Sequence, residues 1–535
     1  MYSFFAIFGR FTILCAFVCG AVCSLYAGTY MGSWDLNGDG SNQSVFNEGS
    51  FVRVEQPNGG FRNYHIGNDW VLLRNGVVNT NRAGNKEMVF NFGSSIKIVD
   101  DKSQKIRTYR IGSGWRWIGT SNTDNVGGKE IVFKTSTDRI KILSDEKRLI
   151  RTYFPGSGWV LLRGGFEDLD GIYGDEIALS LNGVIKIITD RNGSVASYSV
   201  GSNWRLPDSG IVDTDNVAGS EIIIEDTGFG SGRVLRILRH RTGEIKPYAL
   251  GAGAEIVQGG VANVDGRPGR DIVFKDGPFL KTVIDRYRKI NTFHIGNSFW
   301  RIANSGIVNF DNEPGREVIC LDFGSDTVRV VNSRLASARD YALSPGNWWE
   351  VGSAVGDSDG DGLSDLFMRK TETGEVALIS SRFSSPRIFP IGITSWSEVG
   401  SGLYDTKGEG RVGLVINDHR NGLIKVIDGV DSGTIRQYNV GLLVRPIAVV
   451  DADGNGGAEI IYDNWTSNTV GLIDEKFASG RIVSVNLNTR WDFRNIEVVD
   501  YDSDGDKELL FSDIGSSAQL LVDYDGFRFV KTILN

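Results

Sequence analysis

Apolar residues in this chain fall in short runs of about six, with no helical period, separated by Gly-rich polar turns. EMVFNF (87–92), EIVFKT (130–135), EIIIED (221–226), DIVFKD (271–276), EIIYDN (459–464) and ELLFSD (508–513) are blocks of Val, Ile, Leu and Phe opened by an acid. Their length and β-branching argue strand rather than helix. A second kind of run alternates with period two, as in SIKIVD (95–100), RIKILSD (139–145), VIKIITD (184–190) and LIKVID (423–428). A third carries an aromatic residue and closes on Gly: RTYRIG, RTYFPG, ASYSVG, KPYALG, NTFHIG, RQYNVG. A fourth is usually opened by Trp (Trp70, Trp115, Trp159, Trp204, Trp300, Trp349, Trp396, Trp491) and runs through small residues into an acidic loop. Four short strands joined by tight turns predict a β-meander.

The unit repeats. Its loop begins at Asp35, Asn79, Asn122, Asp168, Asp213, Asn263, Asn309, Asp357, Asp405, Asp451 and Asp500, at spacings of 43 to 50 residues. A single meander of this size cannot bury both faces, whereas stacked copies can, and curving the stack protects its ends. The expected fold is therefore all-β, a β-propeller of about eleven four-stranded blades. The even spacing favours one large ring over two smaller propellers. The phasing places blades at 28–66, 67–111, 112–155, 156–200, 201–250, 251–295, 296–344, 345–391, 392–440, 441–487 and 488–535.

The most regular loop is DSDGDGLSD, with Asp357, Asp359, Asp361 and Asp365 at positions 1, 3, 5 and 9 and glycines at 4 and 6. Alternate residues of a curled backbone aim oxygens at one centre, and carboxylates that close repel unless a cation lies between them. Oxygen ligands without His or Cys favour Ca²⁺. Asp451, Asp453, Asn455 and Glu459 repeat the pattern, as do Asp500, Asp502, Asp504 and Glu508, with main-chain carbonyls of Leu363, Gly457 and Asp506 available at position 7. Weaker versions are Asp168/Asp170/Glu176, Asp213/Asp215/Glu221, Asp35/Asn37/Asp39 and Asn309/Asp311/Glu313/Glu317. Loops at Asn79, Asn122 and Asn263 carry Ala83, Val126 and Arg267 at position 5, where an Asx turn or the guanidinium would stand in for the ion. The loop at Asp405 has Lys407 and Gly413 at positions 3 and 9 and is expected to hold none.

These loops and the strand after them resemble the FG-GAP/VCBS repeat family of integrin α-subunit heads and secreted bacterial proteins. The resemblance rests on GDSDGDGLSDLFM with the upstream Trp of SWSEVGSGLYD, and spans almost the whole chain after residue 27. It implies propeller blades with Ca²⁺ in the inter-strand loop and a role in adhesion or ligand binding, and leaves the ligand open. Eleven copies depart from the seven blades common in that family.

Composition adds little against this. The net charge of -9 is mild, much of the acid lies in the loops, and no basic tract suggests nucleic acid. Arg10 followed by an uncharged run from Phe11 to Ala27 reads as a signal peptide over 1–27, with an uncleaved anchor as the rival; no later stretch could span a membrane. The expected location is secreted or cell-surface. Beyond that segment only Cys320 remains, in an apolar strand, so no disulfide framework is possible.

Nucleophile motifs, phosphate loops and His clusters are absent from the sequence, and His65 and His294 occupy equivalent places in the aromatic strand. The Trp series reads mainly as packing between blades. Trp117, Trp348 and Trp465, outside that register, are the candidates for a ligand surface. The expectation is a non-catalytic module binding carbohydrate or an extracellular protein. The alternatives are a lyase-like enzyme acting on polysaccharide, marked by a cluster of Lys, Arg, Tyr and His, or a structural envelope component.

Overall fold

The apolar blocks need cover on two faces, and the chain supplies it by laying one four-stranded sheet against the next. The computed structural model describes residues 28–228, 233–392, 394–427, 434–464, 466–476, 480–487, 491–501, 505–516 and 518–534. The expected signal segment, Trp465, Asp502 and Asp504 lie outside them. The described residues form eleven antiparallel sheets in chain order: sheets 1 (29–65), 2 (71–110), 3 (115–153), 4 (160–199), 5 (204–251), 6 (255–294), 7 (300–342), 8 (348–389), 9 (397–439), 10 (444–486) and 11 (491–534). Each is a meander whose strands pair in order, the first strand at one edge, running toward the acidic loop, and the aromatic strand at the other. In sheet 5 the first strand is broken into Trp204–Arg205 and Ile211–Val212, both paired with Glu221–Asp226. Pro207 lies in the gap, where it has no N–H for the ladder. The fold is all-β, of the β-propeller type.

The chain divides into two compact units, one of Met1–Asp213, Val217–Phe229 and Val234–Pro247, the other of Thr214–Asn216, Gly230–Arg233 and Tyr248–Asn535. In the first, apolar clusters bridge sheets 1 and 2, 2 and 3, 3 and 4, and 4 and 5. In the second they bridge 6 and 7, 7 and 8, 8 and 9, 9 and 10, and 10 and 11. Cys320 is buried in the cluster between sheets 6 and 7.

Four polar ties recur across these seams. The Trp that opens a sheet packs against the sheet before it and donates its indole N–H to a hairpin carbonyl there: Trp70 to Gly49 at 2.6 Å, Trp300 to Gly277 at 2.7 Å, Trp396 to Gly374 at 3.0 Å. A Lys on the third strand reaches the carbonyl that ends the preceding outer strand, as Lys425 does to Ile391 at 3.0 Å. The outer-strand Tyr donates its hydroxyl to an acid just beyond the next sheet's third strand: Tyr64 to Asp101 at 2.6 Å, Tyr438 to Glu475 at 2.7 Å, and likewise Tyr153 to Asp190. Finally, the position-8 N–H of one loop donates to the position-1 carbonyl of the loop before it. This is so for Lys129 to Asn79, Asp175 to Asn122, Ser220 to Asp168, Arg316 to Asn263, Ser364 to Asn309, Val412 to Asp357 and Ala458 to Asp405.

The small-residue patch of the first strand is a bulge. Pairing jumps from Leu72 to Val77, from Leu161 to Phe166, and from Ile302 to Ile307. Asn75 and Ser305 take φ of 57° and 54° there, and Gly164 takes 71°. One expectation is corrected. Trp348, not Trp349, fills the packing slot: it pairs with Lys370 as Trp300 pairs with Asp322, is 3% exposed, and donates to the Ser344 carbonyl at 2.7 Å. In a period-two strand the neighbour then faces outward, and Trp349 is 54% exposed. Trp117 is partly buried, packed against the cluster of sheets 2 and 3.

Candidate metal centres

Each acidic loop joins the first strand of a sheet to its second, and its shape has a cause that needs no ion. The position-1 carboxylate accepts the N–H groups of positions 4 and 6, as Asp357 does from Gly360 (2.6 Å) and Gly362 (2.8 Å) and Asp35 from Gly38 (2.7 Å) and Gly40 (3.1 Å). Both glycines are left-handed, with φ of 77° and 81° at Gly360 and Gly362. The position-9 side chain accepts the N–H of position 2 in nine sheets, from Gln43 and from the acids Glu87, Glu130, Glu176, Asp271, Glu317, Asp365, Glu459 and Glu508. One oxygen of that carboxylate is therefore engaged by the hairpin, and the other is left free of that bond.

Five groups of acids bring ligand oxygens within 4.8 Å of one another among the described residues: Asp168/Asp170/Glu176, Asp213/Asp215/Glu221, Asp357/Asp359/Asp361, Asp451/Asp453/Glu459 and Asp506/Glu508/Asp523. Sheet 10 makes the strongest demand. Glu459 is fully buried; its Oε2 accepts the Ala452 N–H at 2.8 Å, while Oε1 and the Asp451 Oδ1 meet no hydrogen-bond donor among the described residues. Burial first, then Asp453, Asp474 and Asp451, pushes the Glu459 carboxyl up to about 8. Asn455, expected as a ligand, has its Oδ1 2.9 Å from the Lys476 ammonium and accepts the Gly457 N–H at 2.9 Å.

In sheet 8, Asp357, Asp359 and Asp361 converge, and burial followed by the neighbouring Asp359 and Asp357 raises the Asp361 carboxyl. Asp365 is not in that group. Its Oδ2 takes the N–H of Ser358 at 3.0 Å and also the Ser358 hydroxyl, and burial raises it to about 6. Leu363 supplies an N–H to Asp361 at 2.9 Å. In sheet 11 the Asp506 side chain joins Glu508, and so does Asp523 on the third strand, which the loop pattern alone does not reveal. Asp500 Oδ1 is buried without a donor among the described residues.

In three of the expected sets the ligand side chains already have partners. In sheet 4, Arg191 pairs with Asp170 and, at 2.7 Å, with Glu176, so a guanidinium lies among acids whose oxygens fall within 4.8 Å of one another. In sheet 1, Asn37 donates to Asp39 at 2.7 Å and Asp35 accepts the N–H groups of the turn; its position-9 residue is Gln43. In sheet 7, Asp311, Glu313 and Glu317 form no group of three acids among the described residues: Glu317 is held by the N–H groups of Phe310 (2.8 Å) and Asp311 (3.3 Å) and by Asn332 (3.2 Å), and Asp311 by the N–H of Glu313 at 2.8 Å. In sheet 6 the Arg267 guanidinium lies over the Tyr287 ring at 4.8 Å, and the loop closes as an Asx turn on Asn263.

Two surface features lie away from the loops. Trp349 sits 5.9 Å from the Phe323 ring, and the Arg301 guanidinium lies over Phe323 at 5.5 Å. Between the first strands of sheets 9 and 10 a cleft is lined by Tyr404, His419 and Arg445. There the His419 Nε2 is 2.8 Å from the Ser397 hydroxyl, its Nδ1 is 3.2 Å from the Asn417 amide, and Arg445 pairs with buried Asp463 at 2.7 Å.

Sheets and loops together define a repeat protein of the β-propeller class with several acidic, cation-sized centres. No family model and no curated protein matches the chain. Similar solved structures include the dihydro-heme d1 dehydrogenase NirN in complex with DHE, at 14% identity over 78% of this chain and 75% of that one, with a TM-score of 0.27. Another is apo AztD from Citrobacter koseri, at 17% identity over 70% of this chain and 94% of that one, with a TM-score of 0.27. The class assignment rests on the sheets themselves. No helix among the described residues is long and apolar enough to cross a membrane.

Proposed function

We propose that this chain is a calcium-stabilised, non-catalytic binding module of the secreted or cell-surface kind, with carbohydrate or an extracellular protein as its ligand. The observation that carries the metal half is Glu459, wholly buried with one carboxylate oxygen unmatched among the described residues, beside Asp451 and Asp453. A buried, unmatched carboxylate is costly unless it is protonated or meets a cation, and oxygen-only ligands suit Ca²⁺. The ligand half is supported by the exposed Trp349 beside Phe323 and Arg301, an aromatic platform suited to the apolar face of a sugar ring.

A glycan array probed with the purified chain, with and without chelator, and with Trp349→Ala, tests both halves. Specific retention lost in chelator and weakened about tenfold by Trp349→Ala is expected; retention indifferent to both overturns the reading. The enzyme alternative is favoured by Tyr404, His419 and Arg445 sharing one cleft. Unsaturated products released from an acidic polysaccharide, and lost in His419→Ala, would establish it instead.

A further inference from the structure

The turn after the third strand bears a basic residue that is not part of the acidic loop yet reaches it. Its place is fixed by register. The residue after the position-9 acid pairs with a third-strand residue (Ile177 with Ile188, Ile460 with Ile473, Leu509 with Val522), and the basic place is three residues beyond that partner. It holds Lys102, Arg191, Arg241, Arg286, Arg334, Arg382 and Lys476 in sheets 2, 4, 5, 6, 7, 8 and 10, and Lys147 serves one residue later in sheet 3. Those of sheets 2, 3, 4, 8 and 10 bond the loop of their own sheet. Lys102 reaches the Ala83 carbonyl at 3.0 Å, Lys147 and Arg382 reach Asp124 and Asp359 at 2.8 Å, and Lys476 reaches the Asn455 carbonyl and its Oδ1.

Arg191 does this most completely. Its guanidinium meets Asp170 at position 3, the Ile172 carbonyl at position 5 (3.3 Å) and Glu176 at position 9 (2.7 Å). Those are the places from which a loop of this spacing would bind an ion. In sheet 11 the same place holds Asp525, an acid, and the cation that approaches that loop is Lys507 on the loop itself, 3.5 Å from Asp500.

We propose that this turn carries a tethered cation that decides which acidic loops take a divalent ion, and that Arg191 occupies the seat of the ion in sheet 4. The inference rests on the reading that the other loops bind Ca²⁺, for which the unmatched oxygen of fully buried Glu459 is independent support. Arg191→Gln would uncover Asp168, Asp170 and Glu176, whose oxygens already lie within 4.8 Å of one another. Exposed Lys476, replaced by Gln, would relieve the sheet-10 loop of a competing charge.

The test is Ca²⁺ stoichiometry and affinity of the full chain, by equilibrium dialysis with metal analysis, for wild type, Arg191→Gln, Arg191→Gln with Asp170→Asn, and Lys476→Gln. One ion more per chain is expected in Arg191→Gln, lost again in the double variant, with affinity about fivefold to tenfold tighter at one site in Lys476→Gln. A wild type that binds Ca²⁺ while neither variant gains overturns the tethered-cation assignment alone. An Arg191→Gln that gains an ion where wild type holds none supports the assignment and overturns the calcium reading of the native loops. Binding in none of the four overturns both. Lys476→Gln, on the surface, decides the matter if Arg191→Gln does not fold.

Discussion

At position 9 of the loop, Gln43 in sheet 1 performs the same bond as the acids elsewhere, its Oε1 accepting the Leu36 N–H at 2.6 Å. A negative charge is therefore not needed for that hairpin. Glu130 is fully buried, and burial first, then Asp124, lifts its carboxyl to about 7; Oε2 accepts the Thr123 N–H at 2.7 Å and Oε1 the Ser144 hydroxyl at 3.1 Å. A carboxyl whose folded pKa is raised from 4.5 favours the folded state in its protonated form, fully so below about 4.5, and that contribution is lost as pH rises through about 7. Glu130→Gln should thus leave stability at pH 5 nearly unchanged and raise it at pH 8 by up to about 3 kcal/mol. Urea melts of both proteins at the two pH values measure this; a variant that loses stability equally at both would show that the charge itself is required. The sequence made the acid at this position conspicuous and suggested a ligand. Its commitment to the Thr123 N–H depends on a hairpin closing, which no spacing displays.

At the level of the strand and its neighbour, the outer-strand Tyr is plainly visible in the repeats, as is the acid after several of the third strands (Asp101, Asp145, Asp190, Asp285, Glu475). Their meeting across a seam is not, because the two belong to successive copies. Asp190 receives the Tyr153 hydroxyl, the Thr123 hydroxyl at 3.0 Å and the Arg151 guanidinium at 3.3 Å while wholly buried. Tyr153→Phe removes one of these bonds, a change foreshadowed by Phe293 in sheet 6, and should cost about 1–2 kcal/mol in urea unfolding. Asp190→Ala removes all three contacts at once, leaves Arg151 to Asp124, and should cost about 2–4 kcal/mol. Equal losses in the two variants would mean that the seam is held by packing rather than by the acid. The Trp slot shows the other limit of legibility. A Trp-Trp doublet can enter a strand in either register, and only the pairing of Trp348 with Lys370 decides which indole is buried.

Across the whole chain, internally neutralised loops and ion-demanding loops are unevenly spread. Lys102, Lys147 and Arg191 serve sheets 2, 3 and 4; Arg382 and Lys476 reach the loops of sheets 8 and 10, yet among the described residues Glu459 and Asp500 keep unmatched oxygens in sheets 10 and 11. Hydrogen exchange in chelator should therefore accelerate first in 444–534, with 71–199 protected as before, and added Ca²⁺ should restore it. Uniform acceleration would contradict that distribution. The loop-to-loop bonds carry a different consequence. Because a loop inside such a run both gives one main-chain bond to its predecessor and takes one from its successor, duplicating or deleting a complete copy creates no orphaned amide at the join. A gain or loss of part of a copy does. Lineages bearing this architecture should then differ in length by whole multiples of the unit, a quantised pattern of growth set by a single amide and a single carbonyl.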